Sequence, residues 1–211
     1  LSNNDSGTDN TVFGFLAGAA GLSGGTDNVL IGDYAGNAMT SGDGNTFVGA
    51  NAGLLQVEGQ YNIAIGYNAL DAGEEDSRNV AIGYNALTAL DVSNTGSPVN
   101  TYNVAIGHEA GGSISNGTQN TILGATAGNG FNASNQTFIG YGVGLTVSGA
   151  NSVGVGHGAL AATATQTGTV AIGSSALAAL TSGIGNVAIG YQSLDATTTG
   201  EANTMVGYQT G

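Results

Sequence analysis

Short alternating runs of apolar residues, each closed by a glycine, recur along almost the whole chain. A copy begins with Asn and three residues, the first and third of them Val, Ile, Thr, Leu or Phe. Gly, two variable residues, Ala, and Gly or Leu follow. The stretch 79–87, Asn-Val-Ala-Ile-Gly-Tyr-Asn-Ala-Leu, is the plainest copy. The repeat glycines are Gly14, Gly32, Gly49, Gly66, Gly83, Gly107, Gly124, Gly140, Gly156, Gly173, Gly190 and Gly207, in steps of 18, 17, 17, 17, 24, 17, 16, 16, 17, 17 and 17. So regular a step is the signature of stacked coils, each a neighbour's only partner.

Within a copy, Val80 and Ile82, Val104 and Ile106, Val170 and Ile172, and Val187 and Ile189 flank a small residue at period two. That alternation predicts a three-residue strand with one buried face. A helix is excluded, because glycine at every step leaves no 3.6-residue stripe. We expect the β-branched pair to face the coil interior, so that Ile82→Asp or Ile106→Asp unravels adjoining coils. The small residues between them, Ala64, Ala81, Ala105, Gly154, Ala171 and Ala188, are expected to face a neighbouring chain. Ser, Thr, Asn, Asp and Gly clusters such as 23–27 turn the chain back. The fold class is thus all-β: a single parallel β-solenoid over residues 1–211, about twelve coils of about 17 residues. An excursion at about 88–102 carries seven extra residues and Pro98.

The Asn four places before the glycine adds a side-chain amide ladder to the stack. It is Asn10, Asn28, Asn45, Asn62, Asn79, Asn103, Asn120, Asn186 and Asn203, replaced in the other copies by Gln136, Ser152 and Thr169.

Composition narrows the function. With 39 Gly and 41% apolar but only 7% charged residues, the chain has too little charge for a disordered tail. Fourteen acidic residues against one basic residue, Arg78, give a formal charge of −13. Nucleic acid is therefore all but excluded as a partner, since phosphates need Lys or Arg, and the same deficit argues against docking on anionic lipid. No 18-residue apolar run predicts membrane insertion, and the first residues do not read as a signal peptide. Without Cys no disulfide staples the fold.

The Ala-Ile-Gly copies resemble the head repeats of trimeric autotransporter adhesins. That resemblance implies left-handed parallel β-rolls assembled as homotrimers. The step of 17, with Thr/Ser/Gly-rich turns between copies, is similar still more to repeats of bacteriophage tail-fibre proteins. The likeness runs over about residues 8–211. It implies a structural or adhesive extracellular fibre segment, on a virion or a cell surface. The other biological setting it implies is a bacterial adhesin head or filament subunit that binds glycan or host surface. Self-association into a homotrimer or a longer filament follows from either.

Candidate sites are few. No catalytic residue, cofactor site or metal site is expected, and the chain does not read as an enzyme. His108 and His157 have no triad-like or metal-ligand spacing around them; they stand in the slot after the repeat glycine, where other copies hold Tyr67, Tyr84, Tyr141, Tyr191 and Tyr208. Stacking should align these seven residues into an aromatic stripe able to meet a sugar ring or receptor, or simply to pack over neighbouring turns. The acidic turn of Asp71, Glu74, Glu75 and Asp76, with Asp5, Asp9, Asp27 and Asp43 in other turns, offers oxygens suited to Ca²⁺. No calcium-binding repeat or loop motif accompanies them, which favours solubilising charge. Ice binding is disfavoured because no Thr-x-Thr array persists.

Overall fold

The structure is a computed structural model that describes residues 6–92, 98–162, 165 and 167–211. Among these residues there are fourteen strands and no helix. In chain order they are β1 (Thr11–Phe13), β2 (Val29–Ile31), β3 (Thr46–Val48), β4 (Ile63–Ile65), β5 (Asp76–Ser77), β6 (Val80–Ile82), β7 (Val99–Asn100), β8 (Val104–Ile106), β9 (Thr121–Leu123), β10 (Thr137–Ile139), β11 (Val153–Val155), β12 (Val170–Ile172), β13 (Val187–Ile189) and β14 (Thr204–Val206). One strand per copy, about 17 residues apart and always parallel to the next, makes a β-solenoid of about 11 turns.

The chain divides into two compact units, Leu1–Ile106 and Gly107–Gly211. In the first, β1, β2, β3, β4, β6 and β8 pair in that order. In the second, β9 to β14 pair in sequence. Register never slips: each repeat position meets its equivalent, as Ile63, Ala64 and Ile65 meet Val80, Ala81 and Ala81's neighbour Ile82.

The inside–outside assignment expected above is reversed. Ala64, Ala81, Ala105, Ala171 and Ala188 are wholly buried, as are Leu30, Phe47, Ile122 and Phe138 at the same position. Ile63 and Ile65 are 38% and 37% exposed, and Ile82 and Ile106 are half-buried on the outer face. The ladder residue explains the phase. Asn28, Asn45, Asn62, Asn79 and Asn103 lie inside the coil; a strand alternates faces, so the residue two places on is also inside and the Val or Ile beside it is outside.

Inside most coils, bulk is shared between two positions; the coil of Ala105, with Gly111 six places on, is an exception. Large Leu30, Phe47 and Phe138 face Gly36, Gly53 and Gly144, where a Cβ would press on their side chains, 2.9 Å from Leu30 Cδ2 in the first case. Small Ala64, Ala81, Gly154, Ala171 and Ala188 accompany Leu70, Leu87, Leu160, Leu177 and Leu194. All five leucines are buried although their φ of 49° to 53° is left-handed. Filling the space offsets that backbone cost. The repeat glycines are required for another reason. Their φ lies between 125° and 146°, and a Cβ on Gly32 would sit 2.6 Å from the carbonyl carbon of Gly49 in the next coil. Only glycine lets one backbone pass so near another.

Candidate functional site

The residue after each repeat glycine emerges on the surface, and hydrogen bonds between turns hold successive copies in line. Asn85 N–H donates to Tyr67 O and Gln209 N–H to Tyr191 O, at 2.9 and 2.8 Å. The aromatic residues at this slot consequently stack. Tyr67 and Tyr84 have centroids 5.5 Å apart and planes 11° apart. Tyr141 and His157 stack at 5.5 Å and 10°, and Tyr191 and Tyr208 at 5.2 Å and 16°. All six are exposed. His108 is exposed too, with Nδ1 4.0 Å from the Glu109 carboxylate. The slot holds no aromatic residue at Asp33 and Ala50 in the first unit and at Ala125 and Ser174 in the second.

A second aromatic group escaped the sequence reading. The Arg78 guanidinium lies over the Tyr61 ring, 4.8 Å from its centroid, and its Nε donates to Asn100 Oδ1 at 2.9 Å. Tyr61, Arg78 and Tyr102 each stand one residue before the ladder Asn of their copies. That shared offset was the available signal. The three also share a left-handed φ of 53° to 64°.

The acidic turn splits into different environments. Asp71 accepts from Thr88 Oγ1 at 2.6 Å, and burial raises its carboxyl above the ordinary value. Asp76 is completely buried. Its desolvation pushes the carboxyl up to about 6, and the nearby negative charges of Asp91 and Glu75 add to that, against a hydrogen bond from Val92 N–H. Asp43 accepts from Thr26 N–H and Oγ1 at 2.8 and 3.0 Å, tying two turns together. Asp9 and Asp27 occupy turn positions with φ of 58° and 59°, and Asp5 lies outside the described residues. Among the described residues no three His, Cys, Asp or Glu side chains are grouped to share a metal ion.

Residues 93–97 of the excursion also lie outside the described residues. Its return is well fixed: β7 pairs with β5, Val99 opposite Asp76 and Asn100 opposite Ser77. Thr101 Oγ1 then reaches Asn79 Oδ1 at 2.7 Å. No helix among the described residues is long and apolar enough to cross a membrane.

Comparison with protein-family models, with curated proteins and with solved structures gives no match to this chain.

Proposed function

We propose that this chain is a non-enzymatic segment of an extracellular fibre, on a virion or a bacterial surface, in which three copies assemble through the outer faces of their strands. The observation that carries the reading is the outward apolar face. In the first unit Val29, Ile63, Val80 and Val104 form one column and Ile31, Val48, Ile65, Ile82 and Ile106 another, all half-buried or exposed. In the second, Val153, Val170 and Val187 stand beside Leu123, Ile139, Val155, Ile172 and Ile189. A continuous β-branched sheet face is a costly surface to leave in water, and closed symmetry covers it in every copy at once. The number three comes from the resemblance of the Asn-Val-Ala-Ile-Gly copies to trimeric adhesin heads and phage fibres.

Native mass measurement tests this. The unaltered chain is expected as a trimer, and Ile65→Asp with Ile82→Asp as monomers that keep the β-sheet circular dichroism. A soluble wild-type monomer sinks the proposal.

The exposed aromatic pairs favour a second reading, an adhesive head whose stripe meets surface glycan. Their rings are displayed at regular spacing and are held by the coil, as a sugar-stacking platform requires. Replacing Tyr67, Tyr84, Tyr191 and Tyr208 with Ser should then weaken attachment without altering trimer mass.

A further inference from the structure

The interior of the first unit is apolar along one side until it reaches the base of the excursion. Leu22, Met39 and Leu90 are buried there. Between Met39 and Leu90 the equivalent places hold Gln56 and Gly73. Gly73 has no side chain, and the Asp76 carboxyl occupies the space it leaves: a Cβ on Gly73 would coincide with Asp76 Oδ2 and lie 2.7 Å from the Leu90 carbonyl oxygen. Those two oxygens are therefore neighbours around a single point. When the carboxyl is ionised both are acceptors, with no hydrogen between them to share.

The excursion is fastened at this carboxyl on both sides. Where it departs, Val92 N–H donates to Asp76 Oδ1 at 3.3 Å. Where it returns, Val99 lies opposite Asp76, with Val99 N–H donating to Glu75 O at 2.9 Å and Thr101 N–H to Ser77 O at 3.0 Å. Asp76 is nevertheless poorly provided for: it is wholly buried, and its Oδ2 has no hydrogen-bond partner. The charged groups that act on it are Asp91, from the excursion, and Glu75, from its own turn, both of like sign. Glu74 and, on the preceding turn, Glu58 are acidic too, and Gln56, whose Oε1 lies with the Asp76 main-chain oxygen against Gly59, is neutral. Arg78, the only Lys or Arg in the chain, is exposed and engaged by Tyr61 and Asn100. A buried carboxylate with no compensating charge sheds its own charge by taking up a proton.

We infer that Asp76 is a pH-operated fastener: in acid its Oδ2–H donates to the Leu90 carbonyl oxygen and holds the base of the excursion to the coil, and ionisation removes that bond and loosens the base. The raised carboxyl gives the direction. Pushed up from the ordinary 3.8 to about 6, it contributes stability that is complete below about 4 and is lost as the pH rises through 6. That is the reverse of ordinary acid denaturation, in which paired carboxylates lose their charge and the fold weakens.

The test is native-state hydrogen exchange of the whole chain at pH 5 and 7.5, with protection corrected for the intrinsic dependence of exchange on pH. Val92, Val99 and Thr101 N–H should be protected roughly tenfold more at pH 5, while Val187 N–H in the second unit should not change. Asp76→Asn keeps the acceptor for Val92 and offers the Leu90 carbonyl an N–H that no pH removes. At pH 7.5 it should therefore be protected as the parent is at pH 5, with the pH response gone. Asp71→Asn, at the other raised carboxyl, should keep the response. If Asp76→Asn fails to fold, the carbon-13 titration of the Asp76 carboxyl in the unaltered chain decides: a midpoint above about 5 sustains the inference, and a lower one overturns it. It is overturned equally if the parent is protected alike at both pH values, if the response is lost with Asp71→Asn instead, or if Asp76→Asn is less protected than the parent at pH 7.5, which would put a water and not a proton between the two oxygens.

Discussion

The two units build the same coil on ladders of different quality. In the first, every rung is Asn: Asn10, Asn28, Asn45, Asn62 and Asn79 each accept the main-chain N–H of the next rung through Oδ1 at 2.9 to 3.0 Å, as far as Asn103. Several also donate through Nδ2 to the carbonyl of a turn in the next coil, Asn28 to Gly42 and Asn45 to Gly59. In the second unit the rungs are Asn120, Gln136, Ser152, Thr169, Asn186 and Asn203. The bonds lengthen from 2.9 to 3.1 to 3.4 Å on the way to Thr169, whose Oγ1 is buried without a partner. Ser and Thr have one short hydroxyl where Asn has an acceptor and a separate donor one bond further out. The strand register is kept in both units. An identical fold therefore does not require an identical ladder, and the ladder's contribution should differ between them.

The largest expected effect comes from breaking the intact ladder. Asn62→Leu removes the acceptor for Asn79 N–H and the donor to the Asp76 carbonyl, at 2.9 and 2.6 Å, and leaves both buried groups unpaired. The cost should be about 3–5 kcal/mol. Ser152→Ala gives up one long bond and should cost less than about 1 kcal/mol. Thr169→Asn sharpens the contrast in the other direction, with an expected gain of about 1 kcal/mol, because the longer side chain can reach the next turn. Urea denaturation of the three variants, with native-state hydrogen exchange to separate the units, measures all of these. Equal losses for Asn62→Leu and Ser152→Ala would show that the ladder is incidental to stability.

A smaller effect tests the sharing of bulk within a coil. Gly53→Leu alone forces a side chain against the Phe47 ring and should cost about 2–3 kcal/mol. Combined with Phe47→Ala it reproduces the Ala64–Leu70 pair, and the double variant should lie within about 1.5 kcal/mol of the parent. The two changes are thus expected to be strongly non-additive. Additive losses in thermal melting would mean that each copy is packed by its own neighbours and not by a common rule.

Much of this was legible in the sequence, and the illegible part has a definite cause. The step of 17, the three-residue strands and the Asn ladder follow from chain positions alone. Strand phase did not follow, because Val-Ala-Ile satisfies a period of two in either orientation. Residue size favoured Val and Ile inside, and the buried Asn two positions before Ala81 decided otherwise. Reading the ladder Asn as part of the strand face would have supplied the answer. In most copies the Gly-or-Leu alternative at the end carried a second unread signal, its dependence on the size of the residue six places earlier, as in Phe47 with Gly53 and Ala64 with Leu70, though not in Ala105 with Gly111. The slot after the repeat glycine was legible as an aromatic position, but which rings stack, Tyr67 on Tyr84, Tyr141 on His157 and Tyr191 on Tyr208, was not. The Asp76 environment could not be read at all, since it needs Gly73 and Gln56 brought together across a turn.

The weakest effect, and the one that separates structure from recognition, concerns the vacant rung of the stripe in the second unit. Ser174 lies between His157 and Tyr191, one hydrogen-bonded step from each: Ser175 N–H donates to His157 O and Gln192 N–H to Ser174 O, both at 2.9 Å. Tyr141 and His157 are stacked on one side and Tyr191 and Tyr208 on the other, so Ser174→Tyr inserts a ring with an aromatic neighbour above and below. Each such contact is worth about 0.5–1.5 kcal/mol beyond area burial, reduced here by the exposure of the rings and the rotamer entropy of the new one; a net gain of about 0.5–1 kcal/mol is expected. In the first unit Ala50→Tyr meets Tyr67 on one side but Asp33 on the other, and should gain about half as much. A rise in Tm for Ser174→Tyr, with an exciton feature in the near-ultraviolet circular dichroism, would show that the rings act as structural mortar. No rise would show that stacking in the stripe contributes little to the coil, leaving these side chains free to serve attachment.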